Sequence, residues 1–140
     1  MPPAQQTQPA TEGTIETKLA GGRVLITRMR GYITGPLCER TFSQFRTEAT
    51  RTTGGTWIID TLALDGFQPS AVQVGARWFE VFKQQEGKAI IMVSGMAPVR
   101  MAAATLAFAV HIKVTSCKDM TEAYKVASLE PSSGPPFSSR

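Results

Sequence analysis

The side chains of this 140-residue chain that could do chemistry are two thiols, one imidazole, a carboxylate closing an apolar run and a serine opening a helix. A cysteine nucleophile needs a base within hydrogen-bond reach. The thiols are Cys38 and Cys117 and the sole imidazole is His111. Cys38 lies in an expected early helix and His111 opens an expected late strand, and nothing in the sequence brings them together. No catalytic residue is assigned, and the chain is read as non-enzymatic. The cysteines also lack the spacing of a zinc site or a redox pair, so both are expected as reduced, inward thiols. No glycine-rich loop ends in Lys-Ser or Lys-Thr, which removes phosphate-cradling nucleotide hydrolysis.

Two positions remain. Asp60 ends the run Trp57-Ile58-Ile59, where a carboxylate could meet a cation, although a lone one more commonly takes a loop N–H; no metal and no cofactor are expected. Ser70 with Gln73 has the spacing of a capping box, the hydroxyl accepting a backbone N–H and the glutamine reaching back. A phosphate on Ser70 would meet the free N–H groups and positive end of a helix.

Composition narrows the partners. With 42% hydrophobic residues the chain can bury a core, and its net charge of +4 is mildly basic. The basic residues are scattered, so no nucleic-acid footprint is read. The N-terminus lacks the charged and apolar regions of a secretory signal, and the longest apolar run, 101–112, is too short to span a bilayer. A cytoplasmic protein is expected.

The elements that would position these residues follow from periodicity and punctuation. Residues 1–11 and 130–140 are rich in Pro, Gln, Ser and Thr and are expected as disordered tails around a domain spanning 12–129. Alternation over 14–19 and 24–29 around Gly21-Gly22 predicts a hairpin, interrupted at Gly31. A helix is expected over 37–50, an apolar strand over 56–62, and an amphipathic helix over 70–86 with Trp78, Phe79 and Phe82 on its inward stripe. A strand over 89–93, an Ala-rich helix over 99–108, a strand over 111–115 and a short helix capped by Asp119 complete the order β-β-α-β-α-β-α-β-α. That order predicts an α/β fold, a mixed sheet of about five strands packed with about four helices and joined by right-handed crossovers.

This order, with three local strings, resembles the STAS domain of bacterial anti-sigma factor antagonists and related stress-signalling scaffold proteins. The strings are Val24-Leu25-Ile26-Thr27-Arg28-Met29-Arg30-Gly31-Tyr32-Ile33, Trp57-Ile58-Ile59-Asp60-Thr61-Leu62-Ala63-Leu64, and Ala97-Pro98-Val99-Arg100 followed by His111-Ile112-Lys113-Val114 and Asp119-Met120-Thr121-Glu122-Ala123. Anti-sigma factor antagonists carry an Asp-Ser-Ser-Gly string before the helix after the central strand, and phosphorylation of a serine there by the partner kinase breaks the complex. This chain has Gln68-Pro69-Ser70-Ala71 in that place. Counting from Asp60, the phosphorylated serine falls on Pro69, and Ser70 matches its neighbour. The family's phosphorylation site is degenerate here, with Ser70 the remaining candidate.

The resemblance implies a regulatory adaptor of a bacterial signalling pathway. Its partner would be a protein, a kinase-type anti-sigma factor or a receptor-linked scaffold, bound through Asp60, Thr61, Asp65, Ser70, Gln73 and Arg77. Two alternatives stand beside it: a module holding a small apolar ligand or lipid between helices and sheet, and a self-assembling homo-oligomer of the same fold. Exposed apolar residues on one helix face would favour the adaptor, and an enclosed apolar cavity would favour the ligand carrier.

Overall fold

The computed structural model describes residues 12–21 and 23–128. The expected tails, residue 129 and Gly22 of the hairpin turn lie outside the described residues. The elements run β1 (Thr14–Leu19), β2 (Val24–Ile33), α1 (Gly35–Ala49), β3 (Thr56–Phe67), α2 (Pro69–Gln84), β4 (Ala89–Val93), α3 (Ala97–Ala109), β5 (Lys113–Cys117) and α4 (Met120–Val126). They form one five-stranded sheet in the order β1-β2-β3-β4-β5. β1 is antiparallel to β2, and every later pair is parallel.

The layering follows from connectivity. Each crossover carries the chain one strand further in the same direction, so right-handed connections must place α1, α2 and α3 on one face. Among the described elements only α4, which follows the last strand, packs on the other. The two cores reflect this. Beneath the three helices, the Phe45 ring stacks on Trp78 at 4.6 Å, and Trp57 meets Phe79 at 5.0 Å and Phe82 at 5.3 Å. Trp78 is inward, as its helical stripe predicts, at 2% exposure. On the far face, Ile26, Ile58, Ile91 and Val93 pack with Cys117 and with Ala123 of α4.

Several boundaries differ from the sequence reading, each for a local reason. β2 continues through Gly31, which takes φ +74° within a shifted register and packs so close to Gly13 that an added Cβ would lie 3.1 Å from its Cα. β3 runs on to Phe67 instead of ending near residue 62: its first half, through Asp60, pairs with β4, and its second half pairs with the bulged end of β2. β5 begins two residues late because His111 adopts φ +60° and the Ile112 N–H donates back to the Ala107 carbonyl, closing α3. Asp119 caps α4 as expected, accepting from the Glu122 N–H at 2.9 Å.

Candidate functional site

The site begins on β3, where alternation sends neighbouring residues to opposite faces. Asp60 lies on the α4 side. The Arg28 Nε donates to its Oδ2 at 3.2 Å and the Leu62 N–H to its Oδ1 at 3.1 Å. Thr61 points to the helix side and donates its hydroxyl to the Val93 carbonyl at 2.8 Å. Both residues are buried, at 6% and 3% exposure. The expectation that they face a partner is therefore corrected. Asp60 does not end its strand, because Arg28 on β2 supplies the charge that lets a carboxylate sit inside the sheet.

The expected capping box at Ser70 is also corrected. Pro69 fixes the first helical residue, which moves the cap to Gln68. Gln68 caps no backbone N–H of its own helix; its Oε1 accepts from the Gly35 N–H at 3.0 Å, at the start of α1, and from the Ser70 hydroxyl at 3.3 Å. The two helix starts are in contact: a Cβ on Gly35 would lie 2.5 Å from Ser70 Oγ, so only glycine fits without a shift. α1 is capped in the ordinary way, Thr34 Oγ1 accepting from the Leu37 N–H at 3.1 Å. Glu12 accepts from the Thr34 hydroxyl and pairs with Arg40, and these two contacts, the hydroxyl first, hold its carboxyl below the usual range.

Asp65, Ser70, Gln73 and Arg77 are exposed. Arg77 forms an ion pair with Glu39 at 2.7 Å and lies over the Phe42 ring at 5.3 Å, tying α2 to α1. What this surface offers chemically is an accessible hydroxyl, Ser70, in the first turn of α2. A phosphate added there meets helix N–H groups not used within the helix.

Behind α2 lies an apolar cavity of about 100 Å³. Trp57, Ile59 and Thr61 form its floor on β3, Trp78 and Phe79 one wall, and α3 the other. The Trp78 Nε1 is buried without a hydrogen-bond partner, whereas the Trp57 Nε1 donates to the buried Thr27 hydroxyl at 2.9 Å. Exposed large apolar residues also occur: Met101 and Phe108 on α3, Leu62 on β3 and Val126 on α4. α3 thus presents an exposed apolar face in Met101 and Phe108, and the apolar cavity is partly open rather than enclosed, so neither feature by itself separates adaptor from ligand carrier.

The cysteines and the histidine are dispersed. Cys38 borders the cavity, where burial pushes its thiol up to about 11; Cys117 is buried on the far face of the sheet; and His111 is exposed at the end of α3. Both thiols are free and inward, as the sequence predicts. Among the described residues, no group of three or more His, Cys, Asp or Glu side chains could hold a metal, and no helix is long and apolar enough to cross a membrane.

Three participants escaped the sequence reading: Arg28, Gln68 and Gly35. Arg28 carried a usable signal, since it continues the inward alternation of Val24 and Ile26, and a charge on that face requires a counter-charge. Gln68 and Gly35 gave none, because their partnership spans 33 residues.

No protein-family profile matches the chain, and no curated protein matches it in sequence. Solved structures do. An uncharacterised protein of the DUF3478 family from Shewanella loihica PV-4, with a SpoIIAA-like fold, is similar at a TM-score of 0.67 and 13% identity, over 84% of this chain and 97% of that one. The phosphorylated form of the Bacillus cell fate determinant SpoIIAA aligns at 0.61 and 12%, over 81% and 99%. An anti-sigma factor antagonist from Mycobacterium paratuberculosis aligns at 0.56 and 12%, over 84% and 95%. At these identities the likeness is one of fold. The chain thus has the SpoIIAA-like fold of the STAS domain, a five-stranded mixed sheet with four helices in the order β-β-α-β-α-β-α-β-α.

Proposed function

We propose that the protein is a non-catalytic regulatory adaptor of a bacterial signalling pathway, docking a protein partner on the start of α2. The observation that carries this reading is the exposed Ser70 hydroxyl, packed against Gly35 where the starts of α1 and α2 meet. Asp65, Gln73 and Arg77 surround it as exposed polar contacts, and Asp60 and Thr61 support the strand from within. Similarity in fold to anti-sigma factor antagonists supports a partner of the kinase-type anti-sigma factor or receptor-linked scaffold class. Phosphorylation of Ser70 would add nearly two negative charges at this surface and alter docking.

The test is a pull-down from native cell extract, reading co-purifying proteins and the intact mass of the bait. A kinase-like or receptor-like partner, lost with Ser70→Asp and kept with Ser70→Ala, is the expected result. Equal capture by both variants would remove the switch, and a bait that returns only itself would favour self-assembly. A second reading, a carrier of a small apolar ligand, is favoured by the cavity behind α2. The readings share α2, whose outer side presents Gln73 and Arg77 while its inner side walls the cavity.

A further inference from the structure

The outward side of α3 differs from those of the other two helices on its face of the sheet. α1 and α2 meet solvent with ionised side chains, Glu39 and Arg77 among them. α3 instead exposes Ala97, Met101, Ala104 and Phe108 along one line, with Met101 68% and Phe108 79% exposed. The polar groups beside this line are turned back on the chain. The Thr105 hydroxyl donates to the Met101 carbonyl at 3.0 Å, and the Arg100 guanidinium to the Ser94 carbonyl at 3.3 Å. A contiguous apolar surface without charge marks an interaction site.

The stripe itself says what covers it. Its residues stand four, three and four apart, the spacing of a coiled-coil seam, and small and large side chains alternate along it. An antiparallel copy, related by a twofold axis midway between Met101 and Ala104, sets each Phe108 opposite the other copy's Ala97 and each Met101 opposite the other copy's Ala104. Every large side chain then meets a small one. A parallel copy would set Phe108 on Phe108 and alanine on alanine. A twofold contact also requires a surface complementary to itself, and a stripe without charge brings no like charges together.

A stable interface buries about 800 Å² per partner, and a stripe about 20 Å long and one helix wide supplies only part of that. The same axis brings in β5, the last strand of the sheet. α3 joins β4 to β5 and packs on both, so it lies about half a strand spacing inside β5. Two β5 edges paired antiparallel at about 4.8 Å would hold the two α3 helices about two strand spacings apart, close to 10 Å, which is a helix packing distance. The heights agree as well. The Ile112 N–H donates to the Ala107 carbonyl at 3.0 Å, which sets strand and helix level there. From Ala107 back to the midpoint of the stripe is about 7 Å at about 1.5 Å per residue. From Ile112 on to Val114 is also about 7 Å, at about 3.3 Å per residue. One axis, passing near Val114, therefore serves both helix and strand.

We infer that the chain forms a twofold dimer in which α3 packs antiparallel on α3 of a second copy and the two β5 edges join the sheets into one. Ser70 and its contact with α1 are not part of this interface, so the inference stands apart from the adaptor reading.

Sedimentation equilibrium of the full chain over the micromolar range is expected to show monomer and dimer in exchange. Met101→Glu and Phe108→Glu should each weaken the dimer about tenfold or more, whereas Glu80→Lys, exposed on α2, should stay within about twofold of the parent. Adding Ala97→Lys to Phe108→Glu should strengthen the dimer relative to Phe108→Glu alone, because only the antiparallel copy sets position 97 on position 108. Far-ultraviolet circular dichroism matched to the parent separates loss of contact from loss of fold. Hydrogen exchange at the β5 amides of the parent should slow as its concentration rises. A monomer at every concentration overturns the inference, as does a dimer indifferent to Phe108→Glu. A double variant no stronger than Phe108→Glu alone overturns the antiparallel pairing, and β5 amides whose exchange ignores concentration overturn the joined sheet.

Discussion

The two tryptophans permit an internal comparison in which one substitution, Trp to Phe, is made twice in the same core. Trp57 and Trp78 are 1% and 2% exposed, and both stand in aromatic surroundings beside the same cavity. Removing the pyrrole ring forfeits similar apolar burial at each, so that loss cancels in the difference. The hydrogen-bond contributions have opposite signs. Trp57→Phe deletes a buried bond to Thr27 Oγ1, worth about 1 kcal/mol net. Trp78→Phe deletes a donor that is buried and unpaired, whose desolvation costs the native state about 1 to 3 kcal/mol. Trp57→Phe is therefore expected to be the more destabilising variant by roughly 2 to 4 kcal/mol. Urea denaturation followed by far-ultraviolet circular dichroism measures this as a difference in midpoint at unchanged m-value. Equal losses, or a larger loss in Trp78→Phe, would refute the reasoning by showing that the Trp78 indole N–H is satisfied in solution.

Further expectations rest on other contacts. Ser70→Ala should change stability by no more than about 0.5 kcal/mol, since Ser70 is not the cap, whereas Gln68→Ala should cost about 1 kcal/mol by freeing the Gly35 N–H; thermal or urea melts separate the two. Asp60→Ala should cost roughly 3 kcal/mol by breaking the inward pair with Arg28, and a loss below about 1 kcal/mol would mean the pair is solvated. Because burial raises the Cys38 thiol to about 11, above its ordinary value, the folded state holds this proton more tightly than the unfolded chain does. The resulting stability is present below about pH 9 and is lost as pH rises toward about 11, so Cys38→Ala should flatten the decline in melting temperature over that window.

The alternation of Ile15, Thr17 and Leu19, the stripe ending in Trp78, Phe79 and Phe82, and the Asp119 cap are local signals, and each element they predict is present. What sequence could not supply was the outcome of competition between distant groups. Asp60 reads as a strand end until Arg28, 32 residues away, is placed beside it. Ser70 and Gln73 have capping-box spacing, yet Pro69 starts the helix first and Gln68 spends its side chain on α1. An apolar space between helices and sheet was among the expected alternatives, but its size was not legible, for a different reason. Periodicity tells which face of a helix is inward, but the space left between two inward faces depends on how closely small residues such as Gly75 and Ala102 let them approach.

The agreement between strand order and chain order bears on how the domain is made. Each strand pairs with the one synthesised immediately before it, so the sheet can grow at a single edge as the chain leaves the ribosome, with no strand waiting for a distant partner. The helices arrive between strands and cover one face as it forms. The other face does not share this schedule: Ile26, Ile58 and Ile91 stay open until the seven residues of α4 appear after the last strand. A nascent chain stalled before Met120 would present a nearly complete sheet with an apolar back, the state in which a chaperone would find it.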